Sequence, residues 1–224
     1  MNDFKKNKYC VIRNALSKEM SDFLYHYSLL KKQSVATMMN SKYLNPFETF
    51  LGTWEDKQVK DTYSHYADFA METLLYKFIP IMEEHTKLKL VPTYSYMRIY
   101  KKGDILARHK DRPSCEISTT LNLGGDAWPI FVSPNENVGI ANTYGGKKNI
   151  TMASNAKGSA INLASGDMLV YRGCELEHWR EEFQADHCVQ VFLHYNRKGT
   201  KLAKENLMDK RPHLGLPVWF KGKK

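Results

Sequence analysis

The chain has 224 residues, of which 42% are hydrophobic and 25% charged, and a formal net charge of +9. That length fits one large domain with its own core, residues 1–224 read as a single unit, and the balance of apolar and charged residues excludes a disordered or fibrous chain. The charge raises a phosphate-binding reading, but Lys5, Lys6, Lys8, Lys221, Lys223 and Lys224 put much of the surplus near the chain ends, where solvated tails account for it, so nucleic acid is not the expected partner. No apolar run is long enough to span a bilayer, and Met1-Asn2-Asp3-Phe4-Lys5-Lys6 lacks the features of a secretory signal; a cytoplasmic location with no membrane partner is expected. Cys10, Cys115, Cys174 and Cys188 show no Cys-x-x-Cys spacing, which argues against a zinc ribbon or redox pair and for free thiols in a reducing compartment.

In chain order, Tyr9 to Ile12 reads as a short strand, and Ser17 as the N-cap of a helix over about 18–31 with Met20, Phe23, Leu24 and Tyr27 on its apolar face. Residues 33–55 carry no clear period. A second helix is expected over about 62–86, where Tyr66, Phe69, Ala70, Leu74, Phe78 and Ile81 recur at helical spacing and Pro80 introduces a kink. From Val91 the texture changes to short β-branched and aromatic runs between turn residues. Expected strands are 94–100, 105–109, 116–123, 130–132, 159–163, 168–171, 177–180 and 188–195. This order predicts a mainly β fold with flanking helices, a jelly roll or double-stranded β-helix of the cupin-like kind over 91–197, with helical support from 1–90 on one side and a tail over 198–224. The Asn-, Gly- and Ser-rich segment 133–157 reads as a mobile flap, and Arg211-Pro212-His213-Leu214-Gly215-Leu216-Pro217 as a rigid loop packed on the barrel.

The chemistry is concentrated in His109-Lys110-Asp111 and in His178. Residues two apart on an extended segment point the same way, so His109 and Asp111 can share one ion. Two imidazoles and one carboxylate make the ligand set that binds non-haem Fe(II) on one face and leaves the opposite positions open. Taken singly, each residue has a plainer reading: Asp111 before Arg112-Pro113 suits a turn, and His109 between Arg108 and Lys110 suits the surface. His187 and His194 lack this partner spacing and read as supporting or structural residues.

The surrounding sequence resembles a known family. Arg98-Ile99-Tyr100-Lys101-Lys102-Gly103-Asp104-Ile105-Leu106-Ala107-Arg108-His109-Lys110-Asp111 is similar to the Arg-x-Tyr, Gly, hydrophobic, His-x-Asp stretch of the prolyl 4-hydroxylase branch of the Fe(II)/2-oxoglutarate-dependent dioxygenases. Ser118 to Leu123 resembles the strand that follows it there, and Gly166-Asp167-Met168-Leu169-Val170-Tyr171 with His178 resembles the Gly-Asp, strand and distal His. The resemblance spans about residues 91–197. It implies a double-stranded β-helix, Fe(II) held by His109, Asp111 and His178, 2-oxoglutarate and O2 as co-substrates, and ascorbate as an optional reductant.

One position departs from the pattern. The family places Lys or Arg nine or ten residues after the distal His to hold the far carboxylate of 2-oxoglutarate, and this chain has His187 and Cys188 there. A buried carboxylate needs a cation or several hydrogen bonds. Arg180, two residues beyond His178 and on the same strand face, is the first substitute; Arg98 is the second, with Tyr100 and Asn122 as hydrogen-bonding partners. Gln190 and His194 reach the site if Cys188, Gln190, Phe192 and His194 face inward, and Trp179 offers an aromatic wall for substrate. The resemblance favours hydroxylation of a prolyl residue in a peptide or protein. The alternatives are the same chemistry on a free amino acid or small metabolite, an oxidative nucleic-acid demethylase, which lacks its late paired arginines here, and a cupin-like binding domain without catalysis. Nothing in the sequence sets an oligomeric state.

Overall fold

A computed structural model describes residues 3–45, 47–137 and 154–221. Helix α1 (Phe4–Asn7) and strand β1 (Tyr9–Ile12) lead into helix α2 (Lys18–Asn40), followed by strand β2 (Ser64–Tyr66) and helices α3 (Phe69–Lys77) and α4 (Ile79–Thr86). Strands β3 (Leu90–Lys101), β4 (Leu106–His109), β5 (Ile117–Gly125), β6 (Ile130–Val132), β7 (Ser159–Ile161), β8 (Met168–Tyr171), β9 (His178–Arg180) and β10 (His187–Arg197) come next, and helix α5 (Lys201–Asn206) opens the tail. They form a six-stranded sheet in the order β1-β8-β5-β10-β3-β2 and a four-stranded sheet in the order β4-β9-β6-β7. Every strand pairing is antiparallel.

Alternation along the long strands explains where the core lies. On β10, Val189, Val191, Leu193 and Tyr195 share one face, and they join Met97 and Ile99 of β3 and Leu24, Met71, Leu75 and Met82 of the helices in one buried cluster. The opposite face of the same strands carries Tyr96, Arg98, Tyr100, Cys188, Gln190 and Phe192, paired across β3 and β10 as Tyr100 with Cys188, Arg98 with Gln190 and Tyr96 with Phe192. The main hydrophobic core therefore lies between the large sheet and the helices. The space between the two sheets holds polar and aromatic side chains together with smaller apolar clusters that include Leu106, Ile130 and Leu169.

The helical segment differs from expectation in two places. Helix α2 runs on to Asn40, and of its expected apolar face only Leu24 is fully buried; Met20 is 44% and Phe23 65% exposed. The buried face is instead Ser21, Leu24, Ser28 and Val35. Small hydroxyl residues let the helix lie close to the sheet because each satisfies itself on a carbonyl: Ser21 donates to Leu123 O at 3.2 Å and Ser28 to Leu24 O at 2.7 Å. A Cβ on Gly124 would come within 2.7 Å of the Tyr25 ring, which shows how tight that approach is.

The expected helix over 62–86 is a strand and two helices. Ser64 and Tyr66 pair with Arg98 and Tyr96 of β3, Ala67 takes a left-handed φ of 61°, and the Asp68 side chain caps α3 by accepting from the Ala70 and Met71 amides at 2.9 and 3.1 Å. Pro80 sits in the first turn of α4, where its missing N–H costs nothing, and kinks no helix. Of the segment 133–157 read as a flap, residues 138–153 lie outside the described residues.

The tail returns to the barrel. Arg211, 4% exposed, pairs with Glu72 of α3 at 2.8 Å and donates to Thr93 O at 3.0 Å. Met208, Asp209 and Lys210 all have left-handed φ angles, of 46°, 52° and 65°. Three such non-glycine residues in a row persist only where the surroundings over-determine them. Here Asp209 is held by both Arg112 nitrogens at 2.8 Å, by Tyr66 Oη at 2.7 Å and by Ser114 Oγ at 2.9 Å.

Candidate metal centre and its cavity

His109 ends β4 and His178 begins β9, and the two are direct cross-strand partners. Their ring centroids are 4.2 Å apart. Asp111 follows two residues after His109 and is fixed by its amide, which donates to Gly173 O at 2.8 Å. Its Oδ1 lies 3.6 Å from His109 Nε2 and 3.5 Å from His178 Nε2. The ligand atoms of the three residues all lie within 4.8 Å of one another.

The tautomers are set by backbone. His109 Nδ1 is 2.8 Å from Ala107 O and His178 Nδ1 is 3.0 Å from Leu176 O. A carbonyl only accepts, so each Nδ1 carries a proton, and each Nε2, the atom turned toward Asp111, is the one that would give its lone pair to a metal. The charge states suit a cation. Burial, and after it the neighbouring His178, lowers the pKa of His109 and keeps it neutral; burial pushes the Asp111 carboxyl up, but His178 and His109 outweigh it and hold the group well below the ordinary carboxylate range. Neutral imidazoles and an ionised carboxylate are the forms that ligate a metal.

Ser118 of β5 donates to Asp111 Oδ2 at 2.8 Å and lies 3.0 Å from His194 Nδ1. It fixes the carboxylate so that Oδ1 faces the two imidazoles. Burial lowers His194 to about 4, so its ring is neutral and its Nδ1–H can donate to Ser118. Ser118→Ala should weaken divalent-metal affinity about 10- to 100-fold, the usual effect of removing an orienting partner; equilibrium titration with Co2+ measures it, and unchanged affinity would remove Ser118 from this role. Gly173 matters for space. A Cβ there would lie 2.3 Å from Asp111 Oδ2 and 2.5 Å from both Ser118 Oγ and Cys115 O. Gly173→Ala is expected to displace Asp111 and cut metal binding at least as much as Ser118→Ala, while far-UV circular dichroism stays that of the parent protein.

The centre opens on a cavity of about 830 Å3. His109, Asp111, His178, His194 and Arg98 line it, with Tyr66, Tyr94, Tyr96, Tyr171 and Phe192 as its aromatic walls. The Tyr171 ring packs edge-on against His178 at 4.7 Å.

The other residues singled out from sequence fall into distinct places. Arg180 is 1% exposed and sits two residues beyond His178 on the same side of β9. Its Nη1 donates to Trp128 O and its Nη2 lies 3.4 Å from Thr120 Oγ1, while Nε has no hydrogen-bond partner among the described residues. Arg180 also forms no ion pair with a carboxylate among the described residues. Arg98, by contrast, is paired with Asp56 at 2.5 Å and donates to Tyr100 Oη at 3.0 Å. Gln190 faces inward as its strand parity allows, accepting from Thr120 Oγ1 at 2.9 Å and donating to Cys188 Sγ at 3.1 Å. The Asn122 amide is engaged at both ends by backbone, donating to Leu163 O at 2.8 Å and accepting from Gly124 N at 3.1 Å. Trp179 is not brought to the site: it stacks on Phe131 at 5.4 Å with the Arg108 guanidinium 3.5 Å above its ring, on the other side of β9 from His178. His187 is remote as well, bonded to Tyr25 and Asp186.

Sequence reasoning missed Ser118, Asp56 and Asp209. For Ser118 a signal existed, the run Ser118-x-Thr120-x-Asn122 of polar residues at period two on a strand whose other face, apart from Thr119, is apolar.

No family model matches the chain, and no curated protein matches it. Solved structures do. A Pseudomonas putida prolyl-4-hydroxylase is 13% identical, with a TM-score of 0.54 over 88% of this chain and 96% of that one. HygX from Streptomyces hygroscopicus, crystallised with nickel and 2-oxoglutarate, is 11% identical, with a TM-score of 0.57 over 88% and 85%. The non-haem α-ketoglutarate-dependent epimerase SnoN of nogalamycin biosynthesis is 12% identical, with a TM-score of 0.63 over 98% and 91%. The fold of this chain is the jelly roll of the 2-oxoglutarate–Fe(II) oxygenases.

Proposed function

We propose that the protein is an Fe(II)/2-oxoglutarate-dependent dioxygenase that hydroxylates an unactivated C–H bond. The observation that carries this reading is the His109–Asp111–His178 group, with both Nδ1 atoms tied to carbonyls and both Nε2 atoms facing one carboxylate oxygen. Fe(II) held there would couple oxidative decarboxylation of 2-oxoglutarate to succinate with transfer of one oxygen atom of O2 to the substrate. The chain's own contribution is to fix the three ligands, hold the co-substrate and line the cavity. Arg180 supplies the charge for the far carboxylate: it is a buried cation that no carboxylate among the described residues neutralises. Tyr100 lies close enough to influence Arg180 electrostatically, and its hydroxyl, which accepts from Arg98, keeps its own proton to donate. Arg98 is the weaker anchor because Asp56 already neutralises it.

A prolyl residue as substrate rests on the resemblance of residues 91–197 to the prolyl 4-hydroxylase branch. The same fold serves HygX and SnoN, so fold does not choose between a peptide and a small molecule. The charge of the cavity wall, developed below, bears on the sign of the substrate's charge. Anaerobic addition of Fe(II) and then 2-oxoglutarate should produce a weak visible charge-transfer band, and air should then yield succinate. A protein that binds Fe(II) yet gives neither band nor succinate would refute the proposal.

A further inference from the structure

The cavity is larger than a five-carbon diacid requires, and its wall is unevenly charged. Two of its carboxylates are already satisfied: Asp56 by Arg98 and by Tyr96 Oη, and Asp209 by Arg112, Tyr66 and Ser114. Asp111 belongs to the metal centre. Glu55 remains, and against it stand Lys57, two residues on in sequence, and Lys210 and Lys221 of the tail, which line the same cavity. None of these three lysines is in an ion pair with a carboxylate side chain among the described residues; Lys221 Nζ meets only the Asp209 carbonyl, at 3.2 Å. All three lysines are exposed at the cavity rim, and the pKa of Lys221 is lowered first by desolvation and then by Arg211, Arg112 and Lys210, against the pull of Asp209. Cations without carboxylate partners on the rim of a cavity create a positive potential that a ligand anion relieves. The strained turn at Met208–Lys210 holds one of the contributors, Lys210, on the cavity wall.

We infer that the substrate is a small organic acid whose apolar body packs on Tyr66, Tyr94, Tyr96 and Phe192 and whose anionic group is taken by Lys57, Lys210 and Lys221. This rests on the oxygenase reading of the same site and narrows its substrate to one chemical class. Aromatic walls supply affinity without fixing charge. The lysines choose the charge.

Two fluorescent probes that share an aromatic body test this. 1-Anilinonaphthalene-8-sulfonate carries an anion, and N-phenyl-1-naphthylamine does not. Each is titrated into the full chain with Fe(II) and 2-oxoglutarate under anaerobic conditions. The sulfonate should bind more tightly than the neutral amine, and the double variant Lys210→Glu/Lys221→Glu should weaken it at least tenfold while leaving the amine unchanged. Equal loss of both probes, or a sulfonate affinity insensitive to the two charge reversals, would overturn the inference. So would displacement of the sulfonate by a single-stranded oligonucleotide at concentrations where 2-naphthoate is ineffective, because the cationic rim would then serve a polyanion. The visible band with Fe(II) and 2-oxoglutarate is recorded in the same samples: its absence defeats the oxygenase reading, whereas its presence with the wrong probe preference defeats the substrate class alone.

Discussion

Asp111→Ala is expected to abolish the Fe(II)/2-oxoglutarate band and to reduce succinate formation by about 10²–10³-fold or more, with His109→Ala and His178→Ala close behind. Among the described residues Asp111 is the one carboxylate that faces both imidazoles, and it is the anionic ligand a cation there would have. Leaving a buried cation without its anionic partner costs about 3–5 kcal/mol, and each 1.4 kcal/mol is about a tenfold change in an equilibrium constant. The Ala variant also takes from the Ser118 hydroxyl its 2.8 Å partner, Asp111 Oδ2, and leaves it on Cys115 O and His194 Nδ1. His187→Ala is the matched control. His187 bonds Tyr25 and Asp186 away from the cavity, so its loss should leave the band and the succinate yield intact. A band that persists in Asp111→Ala would place the metal elsewhere.

The contrast between His109 and His187 shows what could be read from sequence and what could not. His109 and Asp111 share a short extended segment, and alternation alone puts them on one side. Their partner His178 lies on a strand that pairs with β4, a fact of topology that the resemblance to a known family supplied and periodicity did not. Parity also predicted the inward set Cys188, Gln190, Phe192 and His194 once one member was placed. The same rule would have turned Trp179 away from the site, because His178 next to it faces in. Apolar character near a ligand misled there, since an aromatic side chain packs equally well on the outer face of a strand.

The helices were harder for a physical reason. Sequence patterns find a buried face through its large apolar residues, and α2 buries two serines whose hydroxyls are satisfied on carbonyl oxygens. The stretch 62–86 has helical spacing throughout, yet Asp68 caps a helix and the residues before it pair with β3. A strand of three residues leaves almost no periodic trace. Likewise Asp56 and Asp209 reach Arg98 and Arg112 across 42 and 97 positions of sequence. Such pairs are visible only once the fold has brought their segments together.

The departure at Cys188 yields the prediction with the most to separate. Arg180→Ala should raise the dissociation constant for 2-oxoglutarate about 10²–10³-fold, by the same reasoning about buried charge, while Co2+ affinity measured without 2-oxoglutarate stays unchanged. Arg180→Lys keeps the charge but loses the planar fork, and an intermediate loss of about tenfold is expected. Burial lowers the Arg180 pKa, with Cys188, Tyr100 and Tyr171 as its electrostatic neighbours. Position 188, where the resembling family carries its cation, is thus within electrostatic reach of the guanidinium. A lysine introduced at 188 would therefore enter the space that the truncated arginine vacates. Arg180→Ala/Cys188→Lys should recover at least part of the lost affinity, which a merely structural role for Arg180 does not predict. If Arg180→Ala leaves the affinity for 2-oxoglutarate unaltered, the anchor is Arg98 acting through Tyr100, and the double variant Arg98→Ala/Asp56→Ala, which removes the cation without stranding its carboxylate, becomes the one that loses the co-substrate.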